Sequence, residues 1–158
     1  MRNLKKPDST FGQSSDLKSA ISRALDLLAR REHSARELCH KLEIRGFESG
    51  HIEAALEQLT SKGLLNEQRF VESYVHSRIQ RGYGCVRIRA ELRERGVELT
   101  DWSPDEEIDW FELAAAARQK RFGAGQPKDY REKTKQMRFL QRRGFTNEQI
   151  NAAFRELS

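Results

Sequence analysis

The side chains best suited to nucleophilic or metal chemistry are few, and their spacing does not serve it. His33, His40, His51 and His76 form no H-E-x-x-H pair, and the two cysteines, Cys39 and Cys85, form no C-x-x-C. Cys39 and His40 are neighbours, and neighbours on a helix point about 100° apart, so they do not converge on one ion. Both cysteines read more simply as small buried hydrophobes in a reducing compartment. No Walker motif or G-x-G-x-x-G occurs, and Gly82-x-Gly84 is too short for a phosphate loop and reads as a helix break. No catalytic residue, metal or cofactor is expected, and the chain does not read as an enzyme.

The cations carry more information. Arg87, Glu91 and Arg95 recur at i, i+4, i+8 and suit a surface ion-pair ladder worth a few tenths of a kcal/mol per pair. Arg89 and Arg93 also stand four apart, but neither has an acid three or four residues away. They repel across one face, which an anionic partner would relieve; a merely solvated face explains them equally well. Arg131, Lys135, Arg138 and Arg142 recur at spacings of four, three and four, with only Glu132 offering an acid. Four cations along one face read as a track for phosphates or for an acidic protein groove. Arg78, Arg81 and Tyr83 extend the basic region before the Arg89 helix, and Tyr83 either stacks on a partner or packs the turn. Only Phe139 interleaves the longer stripe, whereas single-strand binders generally use several aromatic platforms.

These residues need elements to hold them, and the elements repeat. Arg45-Gly46-Phe47 followed by Ile52, Ala54, Ala55, Leu56 and Leu59 returns as Arg143-Gly144-Phe145 with Ile150, Ala152, Ala153, Phe154 and Leu157, every pair offset by 98 residues. Leu92, Arg95, Gly96 and Val97 form a copy midway. A period near 49 implies one helical unit used three times, the architecture of a binding array. Composition agrees: the chain is 37% hydrophobic and 34% charged, with three prolines, and no window alternates long enough for a strand. The net charge of +5 favours acidic partners, nucleic acid first. No run reaches membrane-spanning length. Residues 1–15 are polar and lack a signal-peptide core, so a cytoplasmic protein with a disordered tail is expected.

The fold class expected is all-α: three tandem three-helix repeats over 16–65, 66–108 and 109–158. The first helix spans 16–31, with Leu17, Ala20, Ile21, Ala24, Leu25 and Leu28 inward. Ser34 with Glu37, Asp109 with Glu112, and Thr146 with Gln149 match capping boxes, and Asn66 is a further cap. Helices over 85–95 and 128–143 bury Ile88 with Leu92, and Met137 with Leu140. Gly46, Gly96 and Gly144 suit left-handed positions after helix ends. The third helix of the second repeat is weak, confined to a short stretch from Ser103-Pro104 or an irregular link. Nothing resembles a heptad seam, so a monomer is expected.

Short motifs along residues 16–157 resemble the RecX regulatory proteins. They are Leu27-Leu28-Ala29-Arg30-Arg31-Glu32-His33-Ser34 with Glu37-Leu38 and Lys41-Leu42; Gly63-Leu64-Leu65 with Arg69-Phe70; Arg81-Gly82-Tyr83-Gly84 with Arg87-Ile88-Arg89; and Lys120-Arg121-Phe122-Gly123 with Arg138-Phe139-Leu140 and Arg142-Arg143-Gly144-Phe145. The resemblance implies an elongated, curved array that binds in the groove of the RecA–DNA filament, blocks its extension, and inhibits strand exchange, ATP hydrolysis and coprotease activity. It supplies no catalytic residues. The third helix of the second repeat, which contains Pro104, departs from the pattern by being truncated. The residues alone reach only a long anionic partner. A module binding single- or double-stranded DNA directly, without RecA, is the alternative, and an adaptor with a solvated basic face is a third.

Overall fold

The structure, a computed structural model, describes residues 9–99 and 107–155, with side chains from residue 16. Every regular element among them is a helix: α1 Ser9–Arg30, α2 Ala35–Ile44, α3 Ser49–Ser61, α4 Glu67–Gln80, α5 Cys85–Glu94, α6 Trp110–Phe122, α7 Tyr130–Arg143 and α8 Asn147–Arg155. The chain divides into two compact units, one up to Phe70 and one from Val71 onward, the boundary falling inside α4.

In the first unit, α1 packs on α3 and α2, around Ala24, Leu27, Leu38, Leu42, Ile52, Leu59 and Leu65. Leu27 takes the inward place expected of Leu25, which is 38% exposed. Ala20, Ala24 and Leu27 follow the i, i+4, i+7 face, and Leu25 lies about 100° round from Ala24. α1 extends upstream to Ser9 rather than beginning at Asp16, and residues 1–8 of the expected tail lie outside the described residues. Ser34 caps α2 reciprocally: its Oγ accepts the Glu37 N–H at 3.1 Å, and its own N–H reaches the Glu37 carboxylate at 3.3 Å.

In the second unit, α6 packs on α8 and α7, burying Trp110, Ala114, Leu140, Phe145, Ile150 and Ala153. Ile88 and Leu92 of α5 are fully buried. α7 begins at Tyr130 rather than at Lys128, because the Asp129 carboxylate caps it by accepting the Glu132 N–H at 2.7 Å. Gln136, not Met137, shares the buried face with Leu140; four residues separate the first pair and three the second, and the face follows the four. Thr146 and Gln149 bond reciprocally at the start of α8. The expected short helix from Ser103-Pro104 lies outside the described residues.

The repeat signature has a structural cause. After α2, α5 and α7, Gly46, Gly96 and Gly144 adopt φ of 86°, 79° and 95°. The following residue in each case, Phe47, Val97 or Phe145, donates its N–H back to the carbonyl of Leu42, Leu92 or Leu140 at 3.1–3.3 Å. These are Schellman closures, which require a left-handed residue and seat an apolar side chain under the helix end.

Candidate binding surface

Repeats two and three meet backbone to backbone. The Gly84 and Val86 N–H groups at the start of α5 donate to the carbonyls of Arg143 and Gly144 at the end of α7, at 2.7 and 2.9 Å. Each helix thereby satisfies orphan groups of the other, and the positive end of one dipole meets the negative end of the other. No side chain fits between them: a Cβ on Gly84 would lie 2.5 Å from the Gly144 carbonyl carbon.

Around this joint stands a cluster that ties up several of the expected cations. The Glu91 carboxylate accepts from the Tyr74 hydroxyl at 2.7 Å, from Arg78 Nε at 2.8 Å and from Arg87 Nε at 3.1 Å. Burial alone would raise its pKa; the bonds from Tyr74 and Arg87 and the charge of Arg78 outweigh burial and hold it below the usual carboxylate value. Burial and the bond to Glu91 push the Tyr74 phenol up. Arg95 departs from the simple ladder: its guanidinium donates to the Glu91 backbone carbonyl at 3.1 Å and lies over the Tyr74 ring. Tyr83 sits among three guanidiniums, those of Arg78, Arg87 and Arg143, at 4.2–5.0 Å from the ring centre. Arg143 also donates to the Arg81 carbonyl at 2.9 Å. Arg78 and Tyr83 therefore hold this joint together, whatever else they touch. From the sequence Arg143 was read only as part of the repeat motif and not as a site residue, since nothing there shows that the ends of α5 and α7 meet.

The remaining candidates separate by exposure. Arg81 and Arg93 are exposed. Arg89 is half-buried and engaged in a contact within the chain, so it does not match Arg93 as the spacing suggested. On α7, Arg131, Lys135, Arg138 and Arg142 are all exposed and line one shallow hollow along the helix. None of the four side chains has an ion-pair or hydrogen-bond partner among the described residues. The acids beside them are committed: Asp129 caps the helix, and Glu132 accepts the Lys128 N–H at 3.0 Å. α7 holds six cations and one acid, and the other 144 residues hold 23 of each, so the formal excess of +5 resides in one helix.

The approach to α7 is fixed by a buried arginine that sequence reasoning passed over. Arg118 is 1% exposed, lies over the Phe154 ring at 5.0 Å, and donates to the Gly125 carbonyl at 2.6 Å. Burial lowers its pKa. Its bond pins the loop between α6 and α7, and with it the start of the stripe. Among the described residues no cluster of His, Cys, Asp and Glu could hold a metal, and no helix is long and apolar enough to cross a membrane.

Family models match nearly all of this architecture: RecX, first three-helix domain, over residues 20–59; the second over 66–101; and the third over 107–154. The chain belongs to the RecX family. It is 53% identical to the regulatory protein RecX of Halorhodospira halophila over 133 residues, 82% of this chain and 83% of that one. It is 46% identical to that of Pseudomonas fluorescens over 131 residues, 81% and 84% of the two chains. Relatives of this chain thus carry the name of regulatory proteins. The crystal structure of RecX from Lactobacillus salivarius has the same fold, with a TM-score of 0.72 at 20% identity over 91% of this chain and 97% of that one. A second RecX crystal structure gives 0.73 at 22% identity, covering 99% and 82%.

Proposed function

We propose that this RecX-family chain regulates the RecA recombinase by binding in the groove of the RecA–DNA filament, where it inhibits strand exchange, ATP hydrolysis and coprotease activity. It acts by occupancy, as a steric and electrostatic block. The observation that carries this reading is the α7 face: four exposed cations in one hollow, none partnered among the described residues. A RecA–DNA filament offers a long anionic surface, and unpaired cations on a rigid helix lose little on meeting it. Family membership supports the same reading. Arg81, exposed between α4 and α5, and Arg93, exposed in the last turn of α5, supply further contacts.

The test is RecA ATP hydrolysis on single-stranded DNA, with this protein added at substoichiometric amounts. The rate falls as filament extension is blocked. An unchanged rate at equimolar protein, with the protein shown to be folded, would remove RecA from the reading.

A further inference from the structure

Tyr130 is 85% exposed, the most exposed large hydrophobic among the described residues. It is the first residue of α7 and lines the same hollow as Arg131, Lys135, Arg138 and Arg142. Its ring has no stacking, cation or hydrogen-bond partner among the described residues; only its backbone carbonyl is used, by the Thr134 hydroxyl. Tyr74 and Tyr83, by contrast, are occupied by guanidiniums, and Phe139 meets Phe122 edge-on at 5.2 Å. An unoccupied ring beside a cationic track is free to stack on a partner.

We propose that the α7 face binds a single nucleic-acid strand directly, with one base stacked on Tyr130 and the following phosphates on the cations. The geometry supports this occupant over an acidic protein surface. Positions 131, 135, 138 and 142 fall within about 60° of one helical face, Tyr130 flanks that face at the start of the same hollow, and the stripe from Arg131 to Arg142 spans about 16 Å, the axial length of roughly five stacked nucleotides. Carboxylates would use the cations but leave the ring idle. A duplex would offer phosphates but no open base face. Only an unpaired strand offers both, and this pairing of basic groove and aromatic platform is how such strands are held without sequence preference. Arg118 and the Asp129 cap fix the first turn, so the ring is presented from a rigid start.

This inference deepens the filament reading but is tested without RecA. Fluorescence anisotropy of the full chain is measured with a labelled oligothymidine of about 20 nucleotides and with an abasic strand of equal length. Oligothymidine should bind about ten-fold tighter than the abasic strand, the scale of one base stack. Tyr130→Ala should remove that ratio, and Tyr130→Phe and Tyr130→Trp should restore it. Its exposure means Tyr130→Ala leaves the fold intact, which circular dichroism checks. Arg138→Gln should weaken both strands equally and flatten the salt dependence by about 0.7 in log–log slope, one phosphate's share. Equal binding of the two strands by the unaltered chain, or a ratio that survives Tyr130→Ala, overturns the stacking role. Failure to bind either strand, with RecA inhibition intact, assigns the α7 face to a protein surface and leaves the filament reading standing.

Discussion

His33 shows how one buried side chain can be assigned a charge state from its neighbours. It is 1% exposed, with Nδ1 2.9 Å from the Arg31 carbonyl and Nε2 3.0 Å from Lys41 Nζ. A carbonyl only accepts, so Nδ1 carries the proton; an ammonium only donates, so Nε2 must be bare. The ring is therefore neutral. Burial, then the charges of Arg31 and Lys41, lower its pKa below 6.5, against the opposing bond to the Arg31 carbonyl and the charge of Glu37. The unfolded chain binds this proton more readily, so stability is full above about pH 6.5 and falls as pH drops through the folded pKa. The urea midpoint should decrease between pH 7 and pH 5.5, and His33→Gln, which cannot titrate, should flatten that decrease. Parallel pH profiles for the two proteins would show that His33 is not the group responsible. From the sequence, His33 showed only the lack of an H-E-x-x-H partner. What the sequence could not reveal was Lys41, eight residues away and brought up by the turn between α1 and α2.

At the scale of elements, the readable features were those written locally. Ser34 with Glu37, Thr146 with Gln149, and Asn66 are cap patterns within four residues, and each forms the expected bond. Helix faces were less legible, because Leu25 and Met137 are apolar yet stand beside the buried row, while Gln136 stands in it. Leu92 was placed inward by its register with Leu42 and Leu140, and all three are fully buried. Leu92→Ala should cost ~2–5 kcal/mol in chemical denaturation, the usual range for such a cavity; a loss within error would mean the site collapses without penalty. The α5–α7 joint was illegible, since two glycines 60 residues apart carry no mutual signal. Gly84 has φ of −95°, which alanine accepts, so only the Gly144 backbone opposes a methyl there. Gly84→Ala should cost about 1–3 kcal/mol, an overpacking penalty. Gly82→Ala is the comparison: φ is 80° with open space around it, so it bears conformational strain alone, about 1 kcal/mol. If Gly82→Ala proved the more damaging, the close backbone approach would not be limiting.

For the whole molecule, the decisive quantity is where the charge lies. The net value of +5 in 158 residues is modest and would support only weak, unspecific attraction. Its confinement to α7 is different, because a local field over one helix survives screening that averages out a diffuse one. The spacing of the stripe was visible in the sequence. That its four cations lack partners was not, for Arg78 looked just as available and proved to be paired with Glu91, the acid expected to serve Arg87. The criterion of unpaired charge therefore has to be applied in three dimensions, and it changes the controls. Reversing Arg87 and Arg95 would dismantle the Glu91 cluster and confuse stability with binding. Arg36 and Lys62 are better controls, exposed cations of the first unit without partners among the described residues. Arg131→Glu with Arg138→Glu, and Arg36→Glu with Lys62→Glu, each lower the net charge by the same four units. If attraction follows net charge, both double variants lose RecA inhibition alike. If it follows the α7 track, only the first loses it, with helical content unchanged, and inhibition by the second keeps the salt sensitivity of the unaltered chain.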